Sequence, residues 1–203
     1  SSDVCSSDLP AASGAKSTKD LIAQAKAKPG EIALANTGIG SGPHLASVLF
    51  AQMTGTSFNF IPYKGGGPAI QDLIAGRVQV LITTPLAAVP HVQSGRLRLL
   101  GVTSAKRATA LPDVPTLAES GVPGYDVTTW YMLLAPAGTP SAIVAKISRD
   151  AMAGLKQPDA VKILGSDGAE LVLGTPPEAA ALLKSELARW AKVIREANVK
   201  PDD

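Results

Sequence analysis

Three stretches decide how this chain is read: Thr37-Gly38-Ile39-Gly40-Ser41-Gly42, Tyr63-Lys64-Gly65-Gly66-Gly67 and Thr83-Thr84-Pro85. Each stands between a strand-like run and a helix-like run. Glu31–Asn36, Phe58–Pro62 and Val78–Ile82 read as the strands. The helices that follow show apolar residues at helical spacing: Leu45, Val48, Leu49 and Met53, then Ile70, Leu73 and Ile74, then a helix over Leu86–Gln93. Repeated strand–turn–helix units predict an α/β fold with a parallel sheet covered on both faces. In such sheets ligands sit beyond the carboxyl ends of the strands, so all three turns are expected on one edge.

Working outward, Ser17 and Asp20 mark the start of a helix that stops at Lys28-Pro29-Gly30. Leu97–Val102 reads as a fourth strand, Thr116–Ser120 as a short helix, and Val127–Leu134 and Glu170–Leu173 as further strands. Long helices are expected from Ser141 and after Thr175-Pro176-Pro177, with a shorter one over Pro158–Leu164. The last carries a stripe of Leu183, Leu187, Trp190, Ala191 and Ile194, expected to be buried. Residues 1–9 include the duplicated Ser-Ser-Asp tract and Cys5, show no periodicity, and read as a non-native or disordered tail. No basic region followed by an apolar run opens the sequence as a signal peptide would.

Composition removes several classes of function. With 19 Lys+Arg against 17 Asp+Glu and 4% aromatic residues, the chain lacks the charge and stacking platforms of a nucleic-acid binder. One cysteine and two histidines exclude a disulfide framework and a Cys/His zinc site. The uncharged stretches Ile32–Tyr63, Val78–Gly95 and Val127–Ala145 are broken by Gly, Pro and amide residues, which argues against membrane insertion.

The turns themselves suggest chemistry. Glycines let backbone N–H groups approach a ligand, and a following helix N-terminus adds partial positive charge. Thr37, Ser41, Thr83 and Thr84 add hydroxyls and Tyr63 a phenol, so the sum is a neutral, donor-rich cup for a carboxylate. Hydrogen bonds to a charged group contribute roughly 1.5–3 kcal/mol each. Three or four of them reach about −8 kcal/mol, near micromolar affinity. The alternative is that the glycines only make tight connections. Lys64 reads as a charge clamp or as a solvated side chain, His44 and His91 as capping or surface histidines rather than catalysts, and Trp130-Tyr131 as cleft lining or core. No phosphate-binding P-loop or nucleophile elbow occurs, and no nucleophile–base–carboxylate set can be assembled, so neither catalytic residues nor a metal or cofactor are assigned.

Pro62-Tyr63-Lys64-Gly65-Gly66-Gly67-Pro68-Ala69 closely resembles the signature of the Bug/TctC family, the extracytoplasmic solute receptors of tripartite tricarboxylate transporters. The likeness extends through Val102-Thr103-Ser104-Ala105-Lys106-Arg107, Leu111-Pro112-Asp113-Val114-Pro115-Thr116 and Leu133-Leu134-Ala135-Pro136-Ala137-Gly138-Thr139-Pro140. The resemblance implies a type II periplasmic-binding-protein (Venus-flytrap) fold, no catalysis, a small carboxylate ligand, a membrane permease as partner and a periplasmic location. It implies a ligand wall formed by Thr37, Gly38, Gly40, Ser41, His44, Tyr63, Lys64, Gly65, Gly66, Thr83 and Thr84. Many relatives carry Asp-Asn where Thr83-Thr84 stands, which favours a plain carboxylate here. The family's opening strand and loop have no counterpart, so the expectation is an N-terminally truncated receptor. It would have one complete lobe over residues 10–128 and a partial second lobe over 129–203, with exposed apolar surface and weak ligand binding. The competing readings are the effector-binding domain of a LysR-type regulator and a small α/β enzyme.

Overall fold

The computed structural model describes residues 2–4, 6–10, 14–109, 111–166 and 169–200. Its centre is a five-stranded sheet. Strands β1 (Ser2–Val4) and β2 (Ser6–Pro10) open the chain, followed by helix α1 (Thr18–Ala27). Then come β3 (Ala33–Asn36), α2 (Gly42–Thr54), β4 (Asn59–Pro62), α3 (Gly66–Ile74), β5 (Val80–Thr83), α4 (Pro85–Gln93) and β6 (Leu97–Val102). The central order is β4-β3-β5-β2-β6. Strands β4 and β5 both run parallel to β3, so β3, β4 and β5 end on the same edge, as the repeated units predicted.

Side chains alternate between the two faces of this sheet. Leu34, Val80 and Ile82 join Leu21, Ala46 and Phe50 in one core, under α1 and α2. Ala35 and Leu81 join Ala69, Ile70 and Leu73 in another, under α3. The chain therefore leaves β3 toward one face and β4 toward the other, and the divergence opens a crevice at the edge. Tyr125 seals the first core, its ring edge-on to Phe50 and its hydroxyl donating 2.8 Å to the Ala46 carbonyl.

The opening residues depart from the expected tail. Ser6–Pro10 lies between β5 and β6 and pairs antiparallel with both, with Leu9 1% exposed and Asp8 buried. Ser and Asp are poor strand formers and one leucine makes no alternation, so the pattern was invisible locally. Two flanking strands supply the hydrogen bonds that specify it. Cys5 lies outside the described residues.

A second, three-stranded sheet has the order β7-β1-β8, with β7 at Thr128–Trp130 and β8 at Ala169–Glu170. Both partners are antiparallel to β1. Because β1 is only three residues long, the expected strands Val127–Leu134 and Glu170–Leu173 shrink to the residues it can pair. The expected helix at Thr116–Ser120 is a turn. Thr116 and Glu119 make the reciprocal bonds of a capping box, 2.8 and 3.0 Å, but Gly121 at φ 112° and Pro123 stop propagation. The hydrogen bonds from Thr116 and then Arg107 hold the Glu119 carboxyl below its ordinary pKa.

Helices α5 (Ser141–Leu155), α6 (Pro158–Ser166) and α7 (Pro176–Glu196) complete the chain. Helix α5 buries no residue, and Leu133, Leu134, Ile163 and Val172 are all more than half exposed. The expected apolar exposure after residue 129 is therefore present. The stripe on α7 is a correction: Val193 is its buried residue, while Leu187 is 64% exposed, because the helix meets α2 and the first core along the Trp190–Val193 side only. Among the described residues, no helix is long and apolar enough to cross a membrane.

The placement of β2 is testable. Leu9→Ala is expected to lower unfolding stability by about 2–5 kcal/mol, measured by urea denaturation, because it empties a core position between two strands. A loss below about 0.5 kcal/mol, as for an exposed site, would contradict it.

Candidate functional site

The three turns meet. A Cβ built on Gly66 would lie 3.5 Å from Thr83 Oγ1 and 4.0 Å from Thr37 Cγ2, so a side chain at this position of the second turn would reach both others. A Cβ on Gly38 would lie 3.9 Å from the Tyr63 carbonyl oxygen. Asn36, the last residue of β3, fastens the first two turns together. Its carbonyl accepts the Tyr63 N–H at 2.9 Å and its side-chain Oδ1 accepts the Gly38 N–H at 3.1 Å. It is 1% exposed, and its Nδ2 is buried with no hydrogen-bond partner among the described residues.

The turns differ in how many donors they keep free. In the first, Gly40 N–H donates to His44 Nδ1 at 3.0 Å and Ser41 N–H to the Gly38 carbonyl at 3.2 Å. The Ser41 hydroxyl caps α2 by accepting the His44 N–H at 3.3 Å, and lies 3.3 Å from the Thr37 hydroxyl. This turn largely satisfies itself. His44 is 6% exposed and edge-on to Phe60, a capping and core histidine rather than an open acid–base group.

The second turn is different. Gly65 caps α3 with φ 103°, ψ 175°, a conformation suited to glycine, and no side chain caps this helix. Gly66 and Gly67 follow as its first residues and Pro68, which has no N–H, comes next. The first N–H groups of a helix have no partner within it, so this end presents a row of donors and the positive end of the helix dipole. Thr84 likewise starts α4 without a side-chain cap, beside Thr83, which is 2% exposed. Lys64 stands exposed beside the glycines.

Tyr63 does not act as the sequence suggested. Its hydroxyl donates 2.8 Å to Asp72 Oδ2 on α3, and Arg77 Nη1 lies 2.5 Å from Asp72 Oδ1. The phenol is thus committed to holding β4 against α3 and leaves the cup only its backbone. Burial, then the Asp72 bond, raises the Tyr63 pKa, and the bonds from Tyr63 and then Arg77 lower that of Asp72.

Two features were missed in the sequence. Asn36 stands two residues before Gly38 in the spacing of an Asx turn, a signal that was available. Thr129 of β7 was not: its Oγ1 lies 3.1 Å from where a Cβ on Gly42 would sit, a contact that only the folded chain creates. Apart from the turns, a groove of about 520 Å³ runs along α2 from Ile39 and His44 to Ala197 and Val199. It is mostly apolar and offers none of the donors at Gly65–Gly67.

This arrangement can hold an acid group through uncharged dipoles. The family model described as the tripartite tricarboxylate transporter family receptor, TctC, matches residues 6–199. The chain belongs to the TctC family. Protein BugT of Bordetella pertussis is 41% identical over 180 residues, covering 89% of this chain and 55% of BugT. A UPF0065 protein from the tcbD-tcbE intergenic region of Pseudomonas sp. strain P51 is 38% identical over 93% of this chain and 56% of its own length. The chain thus spans about half the length of these curated relatives. Among solved structures, Rhodopseudomonas palustris Rpa4515 with adipate superposes with TM-score 0.88 at 35% identity, covering 99% of this chain and 67% of that one. MatC of the same organism with bound malate gives 0.81 at 27% identity, covering 95% and 67%. The fold is that of TctC periplasmic solute-binding proteins.

The Asp72 clasp gives a pH prediction. A carboxyl whose pKa is lowered on folding adds stability above its unfolded value of about 3.9, and the gain is lost as pH falls through the lower folded value. Asp72→Asn is therefore expected to destabilise the protein at pH 7, with the difference from wild type closing in thermal melts below that range. A difference that persists unchanged at low pH would contradict the assignment.

Proposed function

We propose that this chain carries a ligand-binding wall of an extracytoplasmic solute receptor. The receptor takes a small carboxylate in the periplasm and passes it to the membrane permease of a tripartite tricarboxylate transporter, with no covalent bond made or broken. The observation that carries the reading is that Gly66, at the start of α3 without a side-chain cap, lies where a Cβ would meet both Thr37 and Thr83. The adipate and malate held by the solved relatives are acids of the kind such a cup would take.

In this reading the backbone of Gly65, Gly66 and Gly67 supplies the main donors, with Thr37, Lys64, Thr83 and Thr84 beside them. Gly38, Gly40, Ser41 and His44 shape the first turn, and Tyr63 holds the second. The neutral hydroxyls of Thr83 and Thr84 suit an acid without an amino group. Residues through 128 form one lobe of a Venus-flytrap fold, its start moved back to Ser6 by the inclusion of β2, and residues 129–203 belong to the second. Membership of the TctC family favours the receptor over a LysR-type effector domain.

One wall binds weakly. Titrating ¹⁵N-labelled protein with adipate and with malate is expected to shift the amide signals of Gly65, Gly66, Gly67 and Thr84. Half-saturation is expected near 1 mM, about −4 kcal/mol. Absence of shifts at tens of millimolar, or shifts confined to the groove along α2, would overturn the proposal.

A further inference from the structure

We propose that Thr129 is a ligand-contacting group of the same cup and that Glu186 is the residue that positions it. The inference rests on the receptor reading above and adds to it a side chain from outside the three turns. Thr129 is half-buried, and its Oγ1 faces the first residue of α2 at the 3.1 Å noted for Gly42. A Cβ at position 42 would crowd this hydroxyl, which would have to give by a few tenths of an ångström. Gly42 directly follows Ser41, whose hydroxyl is shared between His44 N–H and Thr37. Thr129 thus brings a hydroxyl to the α2 side of the mouth, where the first turn has spent its own donors.

The chain on both sides of Thr129 is pinned to α7. Trp130 donates its indole N–H to Glu186 Oε2 at 3.3 Å, and the same oxygen accepts the Trp190 indole N–H at 2.8 Å. Arg189 Nη1 lies 3.6 Å from Glu186 Oε1, its guanidinium carbon is 5.0 Å from the Trp190 ring centre, and it donates to the Asp126 carbonyl. The Glu186 side chain is only 14% exposed. A largely buried carboxylate is held there by two indoles and one cation, and together they grip Asp126 before and Trp130 after the threonine. Since α7 also packs on α2 through the first core, one helix fixes both Thr129 and the turn it faces.

The test is an adipate titration of wild type, Thr129→Val, Thr129→Ser and Glu186→Gln, read on the glycine amides and on the indole N–H signals of the chain's two tryptophans. Thr129→Val keeps the shape and removes the hydroxyl, and is expected to raise Kd about tenfold or more. Thr129→Ser keeps the hydroxyl and is expected to stay within about threefold of wild type. Glu186→Gln is expected to move both indole signals without ligand. It should raise Kd severalfold and uncouple the Trp130 indole from the glycine amides, which are expected to move together in wild type. If the glycine amides respond and Thr129→Val binds like wild type, the contact is refuted while the receptor reading stands. Unchanged affinity and coupling in Glu186→Gln refutes the positioning role. If the wild-type glycine amides do not respond at all, both the reading and this inference fall.

Discussion

The first N–H groups of an α-helix have nothing inside the helix to bond to, and at α3 no side chain among the described residues caps them. Gly65, Gly66 and Gly67 have no side chains that could fold back as caps, and Pro68 adds no donor of its own. Water or a ligand is left to satisfy them. The central sheet and its turns are arranged around this helix start. Parallel pairing brings three strand exits to one edge, the two faces draw α2 and α3 apart, and Asn36 ties the first exit to the second.

The three exits do different work. The β3–α2 turn bonds to itself through His44, Ser41 and Asn36, so it acts as a rigid frame. The β4–α3 turn keeps its donors open and is braced from behind by Tyr63 and Asp72. The β5–α4 exit contributes Thr83 and Thr84 without a capped helix start. A site of this kind uses fixed dipoles rather than opposed charges. It avoids the large desolvation cost of a buried cation, and it recognises an acid group rather than the molecule that carries it.

Much of the lobe was legible because its signals are local. Lys28-Pro29-Gly30 ends α1 as its stop signal predicted, and Leu97–Val102 forms the strand its apolar run predicted. The convergence of the turns followed from the repeated strand–turn–helix order. What failed was specified at a distance. Ser6–Pro10 becomes a strand because β5 and β6 flank it, and the Tyr63 phenol is bonded to Asp72, which stands nearly two helix turns into α3. Thr129 gains its position from Glu186, far along the chain. The α7 stripe was read as buried because helical periodicity shows which residues share a face, not whether another element covers it.

In the proposed receptor, backbone dipoles at the start of α3 hold the acid. A crystal structure of the protein soaked with adipate tests it most directly. A carboxylate oxygen within about 3.2 Å of the Gly66 or Gly67 nitrogen, with Thr83 or Thr37 beside it, is the predicted result. Adipate density in the α2 groove, or held by the Lys64 ammonium alone with those nitrogens uncontacted, would contradict it.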